Sequence, residues 1–304
     1  MKIKVSNNAI TLWVGAIVVG LALGIAGAIT AHYFRYGIHL ISIIFEKPQN
    51  LIQTFIIYNI TLGLAVFLIL LLKKVSKSKD WQGPADSIYS VHRIDNELDL
   101  KLGFFSTMAA FISAAGGASV GQYGPLVHLG ATIGSWLKTK VSVNFSADVF
   151  IGAGIAAAIS AGFGAPFAGI IFAHEAILRH FAFKALAPIA IASTIAFGTT
   201  QIFWPSEPLF EQTAVSGAIS LMILVSCLIG PIFGFVAVIF MRSLLFFSSL
   251  PTLLKLNPHY AAVIMVISLS LIGAFMPGVM GLGSTTLSSL LENNTFLAAA
   301  LLIL

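Results

Sequence analysis

The sequence predicts an all-α polytopic membrane protein, a bundle with several helices broken inside the apolar layer. Three observations predict it. Of 304 residues, 58% are hydrophobic and only 9% charged, whereas soluble globular domains carry about 25% charged residues. Apolar stretches at 9–34, 51–72, 149–173, 181–203, 214–241 and 260–276 each approach or exceed the roughly 20 residues of a spanning helix. A further stretch, 103–137, is interrupted by glycines and by Gly121-Gln122-Tyr123-Gly124-Pro125. A bilayer tolerates such a break only where the freed backbone groups are buried in protein or line a cavity.

Each element follows in order. The first apolar segment, Ala9 to about Phe45, is longer than a perpendicular helix needs, which predicts a steeply tilted one. Its ladder Gly20, Gly24, Gly27 predicts close helix packing. Glu46 and Lys47 then read as interface anchors. Residues 80–101 form the most polar stretch. Gly83-Pro84 predicts the start of a short helix, with proline at an early helical position. The charged run from Arg93 to Lys101 reads as a solvated loop. The segment 103–140 predicts two half-length pieces, split by Gly116-Gly117 and by the Gly121–Pro125 pentad. Gly164-Ala165-Pro166 predicts the end of one helix and the start of another. A last apolar run begins near Thr295 and is still in progress at Leu304.

Charge sets the expected topology. Lys2 and Lys4, then Lys73, Lys74, Lys77 and Lys79, then Lys138 and Lys140, cluster at span ends. Two spans separate the first cluster from the second, so both face the cytoplasm with the N-terminus, by the positive-inside rule. The net charge of +5 is thereby accounted for and does not suggest nucleic acid. No cleavable signal peptide is predicted. The single cysteine, Cys227, excludes an internal disulfide and a cysteine-based metal site. No cofactor or metal site is expected. His128, His174 and His180 are not spaced to share one helix face with a carboxylate, and they read as structural or interfacial. His174 stays open as a proton group. Glu175, set in apolar sequence, is expected to be buried.

The pentad is the most informative feature. A helix starting near Pro125 places free N–H donors and the positive end of a helix dipole inside apolar surroundings, which suits an anion. A weak internal repeat is also visible. Gly20, Gly24, Gly27 and Arg35 resemble Gly230, Gly234 and Arg242, with eight residues from glycine to arginine in both. That offset carries the counterpart of Gly121 past Leu304, so the second repeat is expected to be cut short.

These motifs together resemble the CLC chloride channel and transporter family. Gly121-Gln122-Tyr123-Gly124-Pro125 stands where that family has Gly-Lys/Arg-Glu-Gly-Pro. Leu126-Val127-His128-Leu129-Gly130-Ala131-Thr132-Ile133-Gly134 continues in the family style. Gly152-Ala153-Gly154-Ile155-Ala156-Ala157-Ala158, leading to Ala165-Pro166-Phe167-Ala168-Gly169-Ile170-Ile171-Phe172 and Glu175, is similar to its next signature. The resemblance implies a CLC-like inverted-repeat bundle with broken helices. It implies one transmembrane domain over 1–304, with a first repeat at 1–205 and the start of a second at 206–304. It also implies a homodimer in the cytoplasmic membrane, in contact with lipid, that transports chloride or a similar small anion.

The departures narrow that expectation. The family's pentad glutamate gates the path and carries protons, and here Tyr123 replaces it. A phenol is neutral near pH 7, so it can donate a hydrogen bond or block the path but cannot readily cycle a proton. Aligning Ala165-Pro166 puts Glu175 at the first position of the family's inner Glu-Glu pair, with Ala176 at the second, proton-carrying one. Where the family has Gly-Ser-Gly-Ile-Pro, this chain has Gln82-Gly83-Pro84-Ala85-Asp86-Ser87-Ile88. Gly83, Pro84 and Ser87 are therefore candidate inner anion contacts. Passive, proton-independent anion movement through Gly121, Gln122, Tyr123, Gly124 and Pro125 is the expectation. A proton-coupled antiporter relative or a non-conducting fragment are the alternatives. A remote one is an intramembrane serine hydrolase, because Gly117-Ala118-Ser119-Val120-Gly121 matches the G-x-S-x-G pattern.

Overall fold

The computed structural model describes residues 7–43, 50–77, 80–93, 98–180, 182–205, 219–283 and 286–287, and among these it contains helices and no strand. In chain order the helices are α1 (Asn7–Ser42), α2 (Leu51–Ser76), α3 (Pro84–Val91), α4 (Leu100–Ala115), α5 (Tyr123–Lys140), α6 (Ala147–Phe163) and α7 (Pro166–Phe172). A π-helical turn, Ala173–Leu178, continues α7, and α8 (Phe183–Phe203), α9 (Ile219–Leu253) and α10 (Pro258–Phe275) follow. Five of these helices, α1, α2, α8, α9 and α10, are long and apolar enough to cross a membrane.

The expected breaks fall where the sequence places them. α4 ends at Gly116, and Gly117 takes the left-handed backbone (φ 92°) that glycine allows at a helix end. The chain then runs through Ser119 and Val120 into the pentad, and α5 begins at Tyr123. Gly164, at φ 66°, ends α6, and Pro166 opens α7 two residues later. α3 starts at Pro84 as expected, with the Asp86 carboxylate accepting the Gly83 N–H at 2.7 Å.

Two expectations are corrected. The charged run from Arg93 is not all loop, because Asp99 caps α4 through its Oδ1, which accepts the Leu102 N–H at 2.9 Å, and Lys101 is already helical. α9 runs to Leu253, well past the apolar stretch that ends at 241, and includes Pro231 and Pro251. Glu46, Lys47 and the run beginning at Thr295 lie outside the described residues.

The chain divides into two compact units, Met1–Pro208 with Ser270–Leu304, and Leu209–Leu269. The first holds the core. α6 is its axis, buried from Val149 to Gly162 and packed by α1, α5, α7 and α8. α5 and α6 meet backbone to backbone. A methyl group on Gly130 would strike the Gly154 carbonyl, one on Gly154 the Gly130 carbonyl, and one on Gly134 the Phe150 carbonyl. The ladder on α1 does what its sequence implies. Gly20 and Gly24 admit Ile191, Ala192 and Ile195 of α8, and Gly27 admits Ala157 of α6. In the second unit, by contrast, no atom of the described residues outside the helix's own backbone lies within 4 Å of a Cβ placed on Gly230 or Gly234.

Candidate functional site

The pentad forms the entry to α5 and lies in the first unit. The first turn of α5 has no side-chain cap, so its free donors are set by the local sequence. Pro125 has no N–H, and the Leu126 N–H reaches back to the Gln122 carbonyl at 3.4 Å. The N–H groups of Tyr123 and Gly124 are left over, and neither donates a hydrogen bond among the described residues. They head an 18-residue helix, so the positive end of its dipole lies at the same place.

Gly83 and Pro84 come to this point. Pro84 Cγ lies 3.5 Å from where a Cβ on Gly124 would be, which sets the start of α3 against the start of α5. The α3 terminus is the less open of the two, because Asp86 already occupies the Gly83 N–H. Buried amide oxygens flank both starts. Gln82 Oε1 and Gln122 Oε1 have no hydrogen-bond partner among the described residues. Turning either amide over presents an NH2 donor in the same place.

Tyr123 lies half-buried, with its ring stacked on Phe163 at 3.8 Å between centroids and 21° between planes. Phe163 is the last residue of α6, so the stack joins the start of one helix to the end of another. Gly162 completes the seat, since a Cβ there would lie 3.3 Å from Tyr123 Cδ1. The Gly162 carbonyl accepts a hydrogen bond from Arg35 Nη1 at 2.9 Å. Sequence reasoning missed Phe163 and named Arg35 only as a member of the weak repeat. The contacts join residues 40 and 127 positions apart, and nothing local announces them.

Ser87 is placed differently from the pentad. It is fully buried, and its hydroxyl lies 2.7 Å from His128 Nδ1. His128 is itself 1% exposed, with Nε2 unpartnered and packed near Gly103. His128 thus links α5 to α3 from within the core, in keeping with a structural reading. His174 is buried, with Nδ1 3.2 Å from the His180 carbonyl. His180 is exposed and faces Asp148 at 3.7 Å.

Glu175 corrects the sequence reading. It is exposed and Ala176 half-buried, on the side of the turn away from Ala173, His174, Ile177 and Leu178, which point inward. Ser119 is exposed in the loop before the pentad. No hydrogen bond joins it to a histidine among the described residues. That loop lines a cleft of about 390 Å³ with Gly121, Gly278, Leu282 and Thr286. Its far wall is tied in place by the Gly281 N–H, which donates to the Gly117 carbonyl at 3.1 Å.

Comparison with known proteins decides the family. The family model described as voltage gated chloride channel matches residues 62–304. The chain belongs to this family. A voltage-gated ClC-type chloride channel ClcB of Yersinia pseudotuberculosis is 24% identical to this CLC chain over 183 residues, which is 60% of the chain and 44% of that relative. The ClcB of Shigella boydii is 22% identical over 246 residues, 75% of the chain and 55% of the relative. The CLC chain therefore spans about half the length of these curated relatives. Among solved structures, a CLC-type fluoride/proton antiporter matches with a TM-score of 0.75 at 24% identity, covering 95% of the chain and 71% of that protein. A slow cyanobacterial Cl−/H+ antiporter matches at 0.70 and 18%, covering 90% and 66%. These likenesses establish the CLC fold for the helices described above.

Proposed function

We propose that this protein carries chloride or a similar small anion across the cytoplasmic membrane passively, without coupling to protons. The observation that carries the proposal is the start of α5. Two adjacent free N–H groups, on Tyr123 and Gly124, sit at a positive helix end, and the side chain of the first of these residues stacks on Phe163. Backbone donors and a dipole bind a halide without a full charge that would trap it, and conduction needs binding that is favourable but not tight. Gly121, Gln122, Gly124 and Pro125 shape the path, and Tyr123 closes it. Gly83 and Pro84 bring the α3 start against this path, with the Gly83 N–H already taken by Asp86. Ser87, spent on His128, holds that start in place. The protein acts as a homodimer, embedded in lipid with its N-terminus in the cytoplasm, as one transmembrane domain with residues 1–205 as the first repeat and 206–304 opening the second.

The absence of coupling follows from side-chain chemistry. Tyr123 and Ala176 stand where the family resemblance has proton-carrying carboxylates. The second reading, a proton-coupled antiporter, draws on the names of the two structural neighbours, both proton antiporters. Reconstituted proteoliposomes separate the two. A chloride gradient should drive chloride movement with no accompanying pH change inside the vesicles. Steady proton movement driven by that gradient would sink the uncoupled reading, and no anion flux at all would sink both.

A further inference from the structure

We infer that Arg35 is an anion-attracting residue of this pathway, supplying from α1 the positive charge that the pentad lacks. The inference rests on the anion-pathway reading above. The pentad contains no charged side chain. Arg35 sits behind it, half-buried on a spanning helix. Its Nη1 donates to the Gly162 carbonyl at 2.9 Å, and the Tyr123 ring rests on that same glycine. The guanidinium is thus one residue away from the Tyr123–Phe163 stack.

No carboxylate among the described residues pairs with it. A guanidinium has five N–H donors, and a single carbonyl uses one. The bland alternative is a helix cap: Gly162 belongs to the last turn of α6, whose carbonyls lack helical partners. A cap needs only a donor. A neutral amide would serve, without the cost of placing a charge in a membrane-spanning helix. The negative end of the α6 dipole also favours a cation at this place, a role that owes nothing to an anion path, and only a salt-dependent change in flux distinguishes the two.

Aromatic rings crowd the same turns of α1. His32, one turn before Arg35, stacks on Trp204 at 4.3 Å, and Tyr33 and Tyr36 complete an aromatic cluster with it. Tyr33 and Tyr36 are exposed. Aromatic rings of this kind gather where a membrane meets water. An unpaired cation at such a level raises the local concentration of anions, and salt weakens the effect.

The test separates charge from donor. Arg35→Gln keeps an N–H donor for the Gly162 carbonyl and removes the charge, and Arg35→Lys keeps both. Chloride efflux from proteoliposomes is measured for each at about 10 mM and about 300 mM salt, where screening lengths differ several-fold. Arg35→Lys should stay near wild type. Arg35→Gln should lose roughly tenfold at low salt and much less at high salt. Equal flux in Arg35→Gln and wild type at both salts would overturn the inference, as would equal losses in both variants. If Arg35→Gln fails to fold, Arg35→Cys in a Cys227→Ser background takes its place. A cationic thiol reagent should then restore flux and a neutral one of similar size should not, and equal effects of the two would overturn the inference. A wild type without anion flux overturns the pathway reading as well, which keeps the two failures distinct.

Discussion

If Tyr123 closes the pathway by stacking on Phe163, removing either ring should open it by a calculable amount. The rings lie 3.8 Å apart and nearly parallel. Such a pair contributes about 0.5–1.5 kcal/mol beyond simple area burial. A tenfold change corresponds to about 1.4 kcal/mol, so an equilibrium held closed by the stack should shift roughly two- to twelvefold. Phe163→Ala should therefore raise chloride efflux from proteoliposomes by that factor, although Phe163 is not in the pentad. Tyr123→Ala should raise it at least as much, since it also removes the blocking ring. The double variant should gain little over Tyr123→Ala alone, because both changes break one interaction. Tyr123→Phe keeps the stack and should conduct like wild type. The reasoning fails if Phe163→Ala leaves efflux unchanged while Tyr123→Ala raises it, or if the two effects multiply. A loss of efflux in Tyr123→Phe would instead assign the phenol hydroxyl to ion binding.

Three further outcomes follow from the packing. Gly154→Val should lower stability by about 1–3 kcal/mol, read as a drop in detergent melting temperature, because its side chain meets the Gly130 carbonyl. His128→Ala should cost about 2–4 kcal/mol by opening a cavity and removing the shorter of the two hydrogen bonds of the buried Ser87 hydroxyl, and Ser87→Ala combined with it should add less than its own effect. Ser119→Ala should change neither efflux nor melting temperature, since its side chain is exposed in a loop, and a loss of serine-hydrolase probe labelling in that variant would contradict the transport reading.

Much of the frame was legible in the sequence because glycine and proline act locally. Gly117 and Gly164 end helices through backbone angles that other residues resist, and Pro84 and Pro166 open helices where a missing N–H costs nothing. The α1 ladder was legible for the same reason, as small residues mark where backbones approach. The site's walls were not. Phe163 meets Tyr123, and Arg35 meets Gly162 beside it, only after α1, α5 and α6 have packed, and the local sequence of no single helix marks either contact. Glu175 shows the limit most directly. Its apolar neighbours suggested burial, but which way a side chain points depends on the face that its turn packs inward, and apolar composition alone does not decide that.

The two kinds of contact at the site differ in strength, and the difference bears on how the proposed gate would move. α5 and α6 touch through glycine backbones at Gly130, Gly134 and Gly154, where no side chain can yield. Sliding one helix past the other would drive carbonyls into Cα atoms, so the start of α5 and the end of α6 are held at a fixed separation. The Tyr123 ring is held there by a stack of order 1 kcal/mol and by no hydrogen bond to its hydroxyl among the described residues. The weakest link between the two helix ends is therefore a side-chain torsion. Opening by rotation of Tyr123 leaves every backbone contact intact, whereas opening by helix movement would break the core around α6. Side-chain rotation also leaves the Tyr123 and Gly124 N–H groups where they are. The proposed anion site would then persist in the open and closed states, and the gate would control access to it without rebuilding it.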